Sequence, residues 1–236
     1  IVSDMLLNSK FEKAAIDREK GVVIEEMMMY HDNPMQFVPE LFEDLLYGDQ
    51  PAGWDTLGTE ARIRAMTRKD IVGYKNDHYS AKNAVVCVAG CVSKDTEGLV
   101  KKYFKTLESG EHKGKPAVKE SQSKPGVLVR FKKTDQAHIM LGVRTYERSH
   151  KDQAVLKVLS VMLGGNMSSR LMIAVRERLG IAYYISAGIE KYTDTGYLAV
   201  HAGITAKKLE TALDEILKQF KLVRDEKLDV KELSKA

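Results

Sequence analysis

The sequence predicts an α+β protein of two tandem domains, each with an antiparallel sheet that carries helices on one face. Segments with helical periodicity and short apolar, β-branched segments occur on both sides of residues 108–125. That stretch is polar, rich in Gly, Pro and Ser, and without periodicity, which indicates a linker. The triplets 88–90 and 201–203 each end a predicted strand before a helix. They fit two similar domains, and they equally fit two unrelated strand–helix units.

The first predicted domain covers residues 1–107. Asn33-Pro34 ends its first long helix, and Thr67 with Asp70 forms a capping-box pattern that begins a later one. The apolar, β-branched run 84–92 predicts a buried strand. The predicted helices lie at about 11–30, 35–46, 67–78 and 93–107, with a loop at 48–58.

The second predicted domain covers residues 126–236. Apolar, β-branched composition predicts its strands, and glycine residues end two of its helices. Strands are predicted at 126–133, 136–145, 182–191 and 196–204, and helices at 152–163, 168–178 and 205–224, with a further helix beginning at 230.

Composition and charge exclude several classes of protein. The formal net charge is only +4 and the basic residues are dispersed, whereas a nucleic-acid-binding protein should show a basic stripe. No apolar run approaches the about 20 residues that cross a membrane, so we expect a soluble protein, for which bacterial cytoplasm and periplasm both remain open. Cys87 and Cys91 are about 13 Å apart on a strand, which is too far for a disulfide bond.

Glu19 and Glu26 are separated by seven residues on the first long helix, which places both carboxylates on one face. Val22, Val23 and Ile24 lie between them and are expected to press the helix onto a core. Carboxylates at the edge of a buried face can bind a metal or orient a histidine. Solvated surface glutamates are the alternative, and each residue taken alone favours it.

Four segments resemble the pitrilysin-type zinc metallopeptidases, the inverzincins, and particularly their branch of processing peptidases. The string from Arg18 to Met27 is similar to the region downstream of the family's His-x-x-Glu-His motif. Leu57–Thr67, Tyr79–Gly90 and Met167–Tyr183 are similar to three further family segments, in the same order. The resemblance extends over essentially the whole chain.

The resemblance implies that Glu26 is the third zinc ligand and that Glu19 supports the metal site. Glu25 would point elsewhere on the helix. The family's His-x-x-Glu-His motif, which supplies two ligands and the general base, occurs nowhere in the sequence. We therefore expect an interior fragment of a longer enzyme, with the motif upstream of Ile1. Such a fragment would be inactive alone and would not bind zinc tightly.

The resemblance also assigns roles to Arg176 and Tyr183. A matching pair in the family contacts the substrate and the reacting carbonyl, and single-unit members receive it from a partner, which implies a homo- or heterodimer. The alternative is a surface salt bridge for Arg176 and core packing for Tyr183, and both interpretations stay open. His138 and His201 lie in predicted strands, where packed or surface histidines are the favoured interpretation.

The function implied is zinc-dependent endopeptidase action on peptides or unfolded segments. The peptide is expected to add as a strand to a sheet edge, most of which would lie upstream of Ile1. The alternative is a non-catalytic partner subunit of the same family, acting in substrate binding or assembly. Retention of Glu19 and Glu26 favours the enzyme, because a subunit without metal need not keep them.

Overall fold

A computed structural model describes residues 1–111 and 114–235, so His112, Lys113 and Ala236 lie outside the described residues. Contacts divide the chain into two compact units: unit 1 is Ile1–Met29 with Thr56–Pro116, and unit 2 is Tyr30–Asp55 with Ala117–Ala236. The α-helices are α1 (Val2–Leu7), α2 (Lys13–Asp32), α3 (Pro34–Tyr47), α4 (Glu60–Ala65), α5 (Arg68–His78), α6 (Thr96–Phe104), α7 (Gln153–Gly164), α8 (Leu209–Asp225) and α9 (Val230–Leu233). The strands are β1 (Gln136–Thr145), β2 (Ala182–Lys191) and β3 (Gly196–Thr205), and a π-helix spans Met172–Arg178.

Unit 1 is built from helices around a small apolar core. Ile24 and Met27 of α2 are buried against Ile63 of α4. The predicted capping box is confirmed at the start of α5, where the Thr67 N–H donates to Asp70 Oδ2 at 2.7 Å and the Asp70 N–H donates to Thr67 Oγ1 at 3.3 Å. These reciprocal bonds satisfy two amides that the first helical turn leaves unpaired.

The prediction of a strand at 84–92 is wrong, because the structure shows irregular backbone over those residues. Its apolar side chains are exposed, including Val85 at 95%. No strand occurs among the described residues of unit 1, so this segment has no neighbour with which to form a ladder of hydrogen bonds. Cys87 and Cys91 are exposed free thiols, and the strand spacing from which their separation was predicted does not occur here.

Unit 2 contains an antiparallel sheet in the order β1-β3-β2. The predicted strands at 136–145, 182–191 and 196–204 are confirmed. The prediction of a strand at 126–133 is wrong, because these residues are irregular and form no ladder with the sheet, and Phe131 is 91% exposed. The principal core lies between one sheet face and the helices, with Leu163, Val175 and Ile216 all below 1% exposure. The prediction of helix at 168–178 is confirmed in part, since the π-helix begins at Met172.

The opposite face of this sheet is covered in part by α3. The prediction that helices pack on only one face of the sheet is therefore wrong for unit 2. Phe42 and Tyr47 of α3 pack with Tyr197 and Ala199 of β3. Gly142 of β1 permits this approach, because a Cβ there would lie 2.8 Å from Phe42 Cζ and 2.6 Å from the Leu198 carbonyl oxygen.

The boundaries 1–107, 108–125 and 126–236 stay a prediction of domain organisation, and the contacts group residues 30–55 with unit 2. Part of the predicted linker is held against unit 2. The Gln50 side chain pairs with Lys119, donating to its carbonyl at 3.0 Å and accepting from its N–H at 2.9 Å. No helix in the described part of the chain is both long and apolar enough to span a membrane.

Candidate functional site

Glu19 and Glu26 both lie on the solvent-exposed face of α2. Seven helical residues offset them by about 20° around the axis and about 10.5 Å along it. The core side of α2 carries Ile24 and Met27 instead. Val22 is 57% exposed, so its predicted role in pressing the helix onto the core is wrong.

Within the described residues, the carboxylates of α2 do not belong to a complete metal site. In residues 1–111 and 114–235, no group of three or more His, Cys, Asp or Glu side chains is placed to hold a metal ion. Zinc in proteins usually takes three or four ligands from the chain. Glu26 therefore offers one ligand, and any full set needs donors from outside the described residues.

Arg176 is presented to solvent by the π-helix Met172–Arg178. Its Nη1 lies 3.8 Å from Met172 Sδ, and among the described residues it forms no ion pair, contrary to the salt-bridge alternative. π-Helical turns are rare and occur often at functional sites. The guanidinium is therefore free to meet an anionic or carbonyl group.

Tyr183 lies in a β-bulge near the start of β2. Ala182 pairs with Ile204 and Tyr184 with Gly203, so Tyr183 is the extra residue. Bulges redirect side chains and are common next to active sites. Tyr183 is 65% exposed, which contradicts the alternative that it fills the core. The turn at Gly180, with φ of 64°, separates it from Arg176, and no hydrogen bond joins the two described side chains.

A second polar cluster, which the sequence alone did not indicate, lies on the α3 side of the sheet. The Tyr184 hydroxyl oxygen is 2.9 Å from His138 Nδ1 and 3.1 Å from His201 Nε2. Burial lowers the pKa of both imidazoles, with His138 adding to the effect on His201. Burial raises the pKa of Tyr184 to about 12. Only the register between the three strands indicates this cluster, and the pattern of a single sequence segment does not reveal that register.

A third polar cluster anchors α3 to the sheet. Glu43 Oε1 accepts hydrogen bonds from the hydroxyls of Tyr192 at 2.5 Å and Tyr197 at 2.9 Å. Burial, reinforced by the Glu43 carboxylate, raises the pKa of both tyrosines well above the usual range. This arrangement is structural, because Tyr197 is only 6% exposed.

Comparison with known proteins defines the class. Residues 65–236 match the family model described as Peptidase M16 inactive domain, so the chain belongs to the peptidase M16 family. This confirms the predicted membership of the pitrilysin-type metallopeptidases.

Several relatives are named as proteases. The chain is 33% identical over 234 residues to the uncharacterized zinc protease YmxG of Bacillus subtilis, covering 99% of this chain and 56% of that protein. It is 31% identical to an uncharacterized zinc protease of Streptomyces coelicolor, covering 96% of this chain and 49% of that protein. The chain thus spans about half the length of the curated relatives it matches.

Solved structures share the fold. A protease from Helicobacter pylori superposes with a TM-score of 0.82 at 26% identity, covering 95% of this chain and 56% of that one. A peptidase M16 inactive domain from Pseudomonas fluorescens gives a TM-score of 0.83 at 21% identity, covering 96% and 55%, which is evidence for the fold alone.

Proposed function

We propose that this chain forms part of a zinc-dependent metalloendopeptidase that hydrolyses peptides or unfolded protein segments. The observation that carries the proposal is the alignment of Glu19 and Glu26 on the exposed face of α2. Solvent-facing carboxylates remain available to bind a metal ion whose other ligands come from other residues. Membership of the peptidase M16 family and the zinc-protease names of the relatives support it.

In this proposal Glu26 is one zinc ligand and Glu19 supports the site. Zinc, when bound, polarises the substrate carbonyl and activates water as a nucleophile. Glu26 contributes a carboxylate oxygen, and Glu19 orients neighbouring groups from the same helix face. The described residues do not complete the ligand set, so the remaining ligands and the general base are assigned to residues outside them.

Arg176 and Tyr183 are proposed to bind the substrate. Their side chains are exposed and carry the donors that a developing oxyanion requires. A guanidinium and a phenol hydroxyl aimed at a carbonyl oxygen stabilise the charge that it acquires in the transition state. We propose that the pair acts on the site of a partner subunit, in a homo- or heterodimer of family members.

A non-catalytic partner subunit is the second candidate function. It is favoured by the family model matched over residues 65–236, which is described as an inactive domain. Such a subunit would bind substrate or support assembly without retaining a metal. The two candidates differ in whether Glu26 affects metal content.

The test is Glu26→Gln in the protein expressed from its whole gene. The substitution should lower zinc content and peptide hydrolysis together. Glu19→Gln should lower zinc affinity or hydrolytic activity by about 10–100-fold, as expected for a supporting residue. Glu25→Gln is the matched control, since Glu25 is an exposed neighbour about 100° away around the helix. Unchanged zinc content and turnover in Glu26→Gln would show that the ligand assignment is wrong.

A further inference from the structure

We propose that His138, Tyr184 and His201 form a binding site for one copper(II) ion, with two imidazole nitrogens and the phenol oxygen as ligands. The three side chains come from β1, β2 and β3, and the Tyr184 hydroxyl oxygen lies 2.9 Å from His138 Nδ1 and 3.1 Å from His201 Nε2. The three ligands lie within unit 2, and none of them is Glu19, Glu26, Arg176 or Tyr183.

The strand register builds this convergence. Gly203 of β3 pairs with His138 on one side and with Tyr184 on the other. His201 is two residues from Gly203 on the same strand, so all three side chains lie on one face. Gly203 itself leaves the space for the phenol ring, because a Cβ there would lie 2.4 Å from Tyr184 Cε1.

The donor spacings fit a square-planar or tetragonal ion. With metal–ligand bonds of about 2.0–2.1 Å, cis ligands at 90° are about 2.9 Å apart and tetrahedral ligands about 3.3 Å apart. The separations of 2.9 Å and 3.1 Å correspond to angles near 90–100°. Tetragonal sites of nitrogen and oxygen ligands are typical of copper(II), which also binds imidazole more tightly than other divalent first-row metals do.

The protonation states suit such an ion. Burial lowers the pKa of both imidazoles, which keeps them neutral, the form that binds metals. Copper binding replaces the phenol proton: the O–H bond breaks, a copper–oxygen bond forms and the proton passes to solvent. All three side chains are only partly buried, so the ion can enter from solvent and further coordination positions stay accessible to water.

This revises the interpretation of the two histidines. Sequence patterns favoured packed or surface roles for each, because each lies in a predicted strand. In the structure, both histidine side chains approach the same Tyr184 hydroxyl. Tyr146 and His150 offer a contrast within the same unit, since their rings stack at 3.8 Å.

The experiment is titration of the 236-residue chain with copper(II) alone, followed by electron paramagnetic resonance and visible absorption. We expect one equivalent to bind with a tetragonal signal, nitrogen hyperfine coupling and a tyrosinate-to-copper charge-transfer band. Failure to bind a stoichiometric equivalent, or a signal without nitrogen coupling, would overturn the proposal.

Variants identify the ligands. His201→Gln and His138→Gln should each raise the dissociation constant at least about tenfold, and Tyr184→Phe, which keeps the ring, should abolish the charge-transfer band. His150→Gln and Tyr146→Phe are the matched controls and should change neither readout. Thermal unfolding checks that each variant is folded. If a histidine variant is unfolded, the charge-transfer band of the Tyr184→Phe protein tests the site instead, and persistence of that band would refute the site.

Discussion

Removing the carboxylate of Glu43 should release α3 from the sheet and destabilise unit 2. Glu43 Oε1 is the shared acceptor for the hydroxyls of Tyr192 and Tyr197. A hydrogen bond to a charged group contributes about 1.5–3 kcal/mol, and an unsatisfied buried hydroxyl costs about 1–3 kcal/mol. Because Glu43 is only half-buried and the two bonds are coupled, we expect Glu43→Ala to cost about 2–4 kcal/mol and Glu43→Gln, which keeps an acceptor, about 1 kcal/mol.

Urea denaturation followed by tryptophan fluorescence measures this loss. Trp54 is the single tryptophan of the chain and belongs to unit 2, so its signal reports on the unit concerned. Asp44→Ala is the matched control, because Asp44 is an exposed acid next to Glu43 on α3. A Glu43→Ala protein within about 0.5 kcal/mol of the Asp44→Ala protein, the range usual for surface substitutions, would refute the anchoring role.

Two further predictions concern tyrosines. In the full-length protein, Tyr183→Phe should lower turnover about a hundredfold, as for the loss of one oxyanion donor, and should leave the melting temperature unchanged. If Arg176 and Tyr183 act between subunits, mixing the Tyr183→Phe protein with the Glu26→Gln protein should restore activity. No recovery in folded dimers that have exchanged subunits would exclude that arrangement. The raised pKa of Tyr192 and Tyr197 means that the unfolded chain loses these protons near pH 10 while the folded chain keeps them. Stability should therefore fall above about pH 10, and Tyr192→Phe should flatten that fall; an identical pH profile would contradict it.

The sequence predicted the elements that depend on local patterns. The α5 capping box needs only Thr67 and Asp70, and it forms as expected. β2 and β3 carry enough apolar, β-branched residues to be recognised, and their partners are close in the chain. Periodicity alone placed Glu19 and Glu26 on one face of α2, because two turns of helix fix that relation.

Errors arose where structure depends on distant residues. The runs 84–92 and 126–133 have strand composition, but composition cannot supply the neighbouring strand that makes a ladder. The error at Val22 is a local one, because Val22 and Ile24 lie about 200° apart around the helix and cannot both face the core that buries Ile24. The meeting of His138, Tyr184 and His201 depends on the register of three strands, and no single segment contains that information.

The close approach of α3 to the sheet restricts which substitutions the chain can accept. At position 142 even a methyl group would collide with the carbonyl oxygen of Leu198 and the ring of Phe42. The Leu198 oxygen belongs to the main chain and cannot rotate away. The adjacent Val143 is 48% exposed and has no such constraint. Neighbouring positions of β1 therefore differ sharply in mutational tolerance, and divergence of this strand should concentrate at 143 while 142 remains fixed by the helix that crosses it.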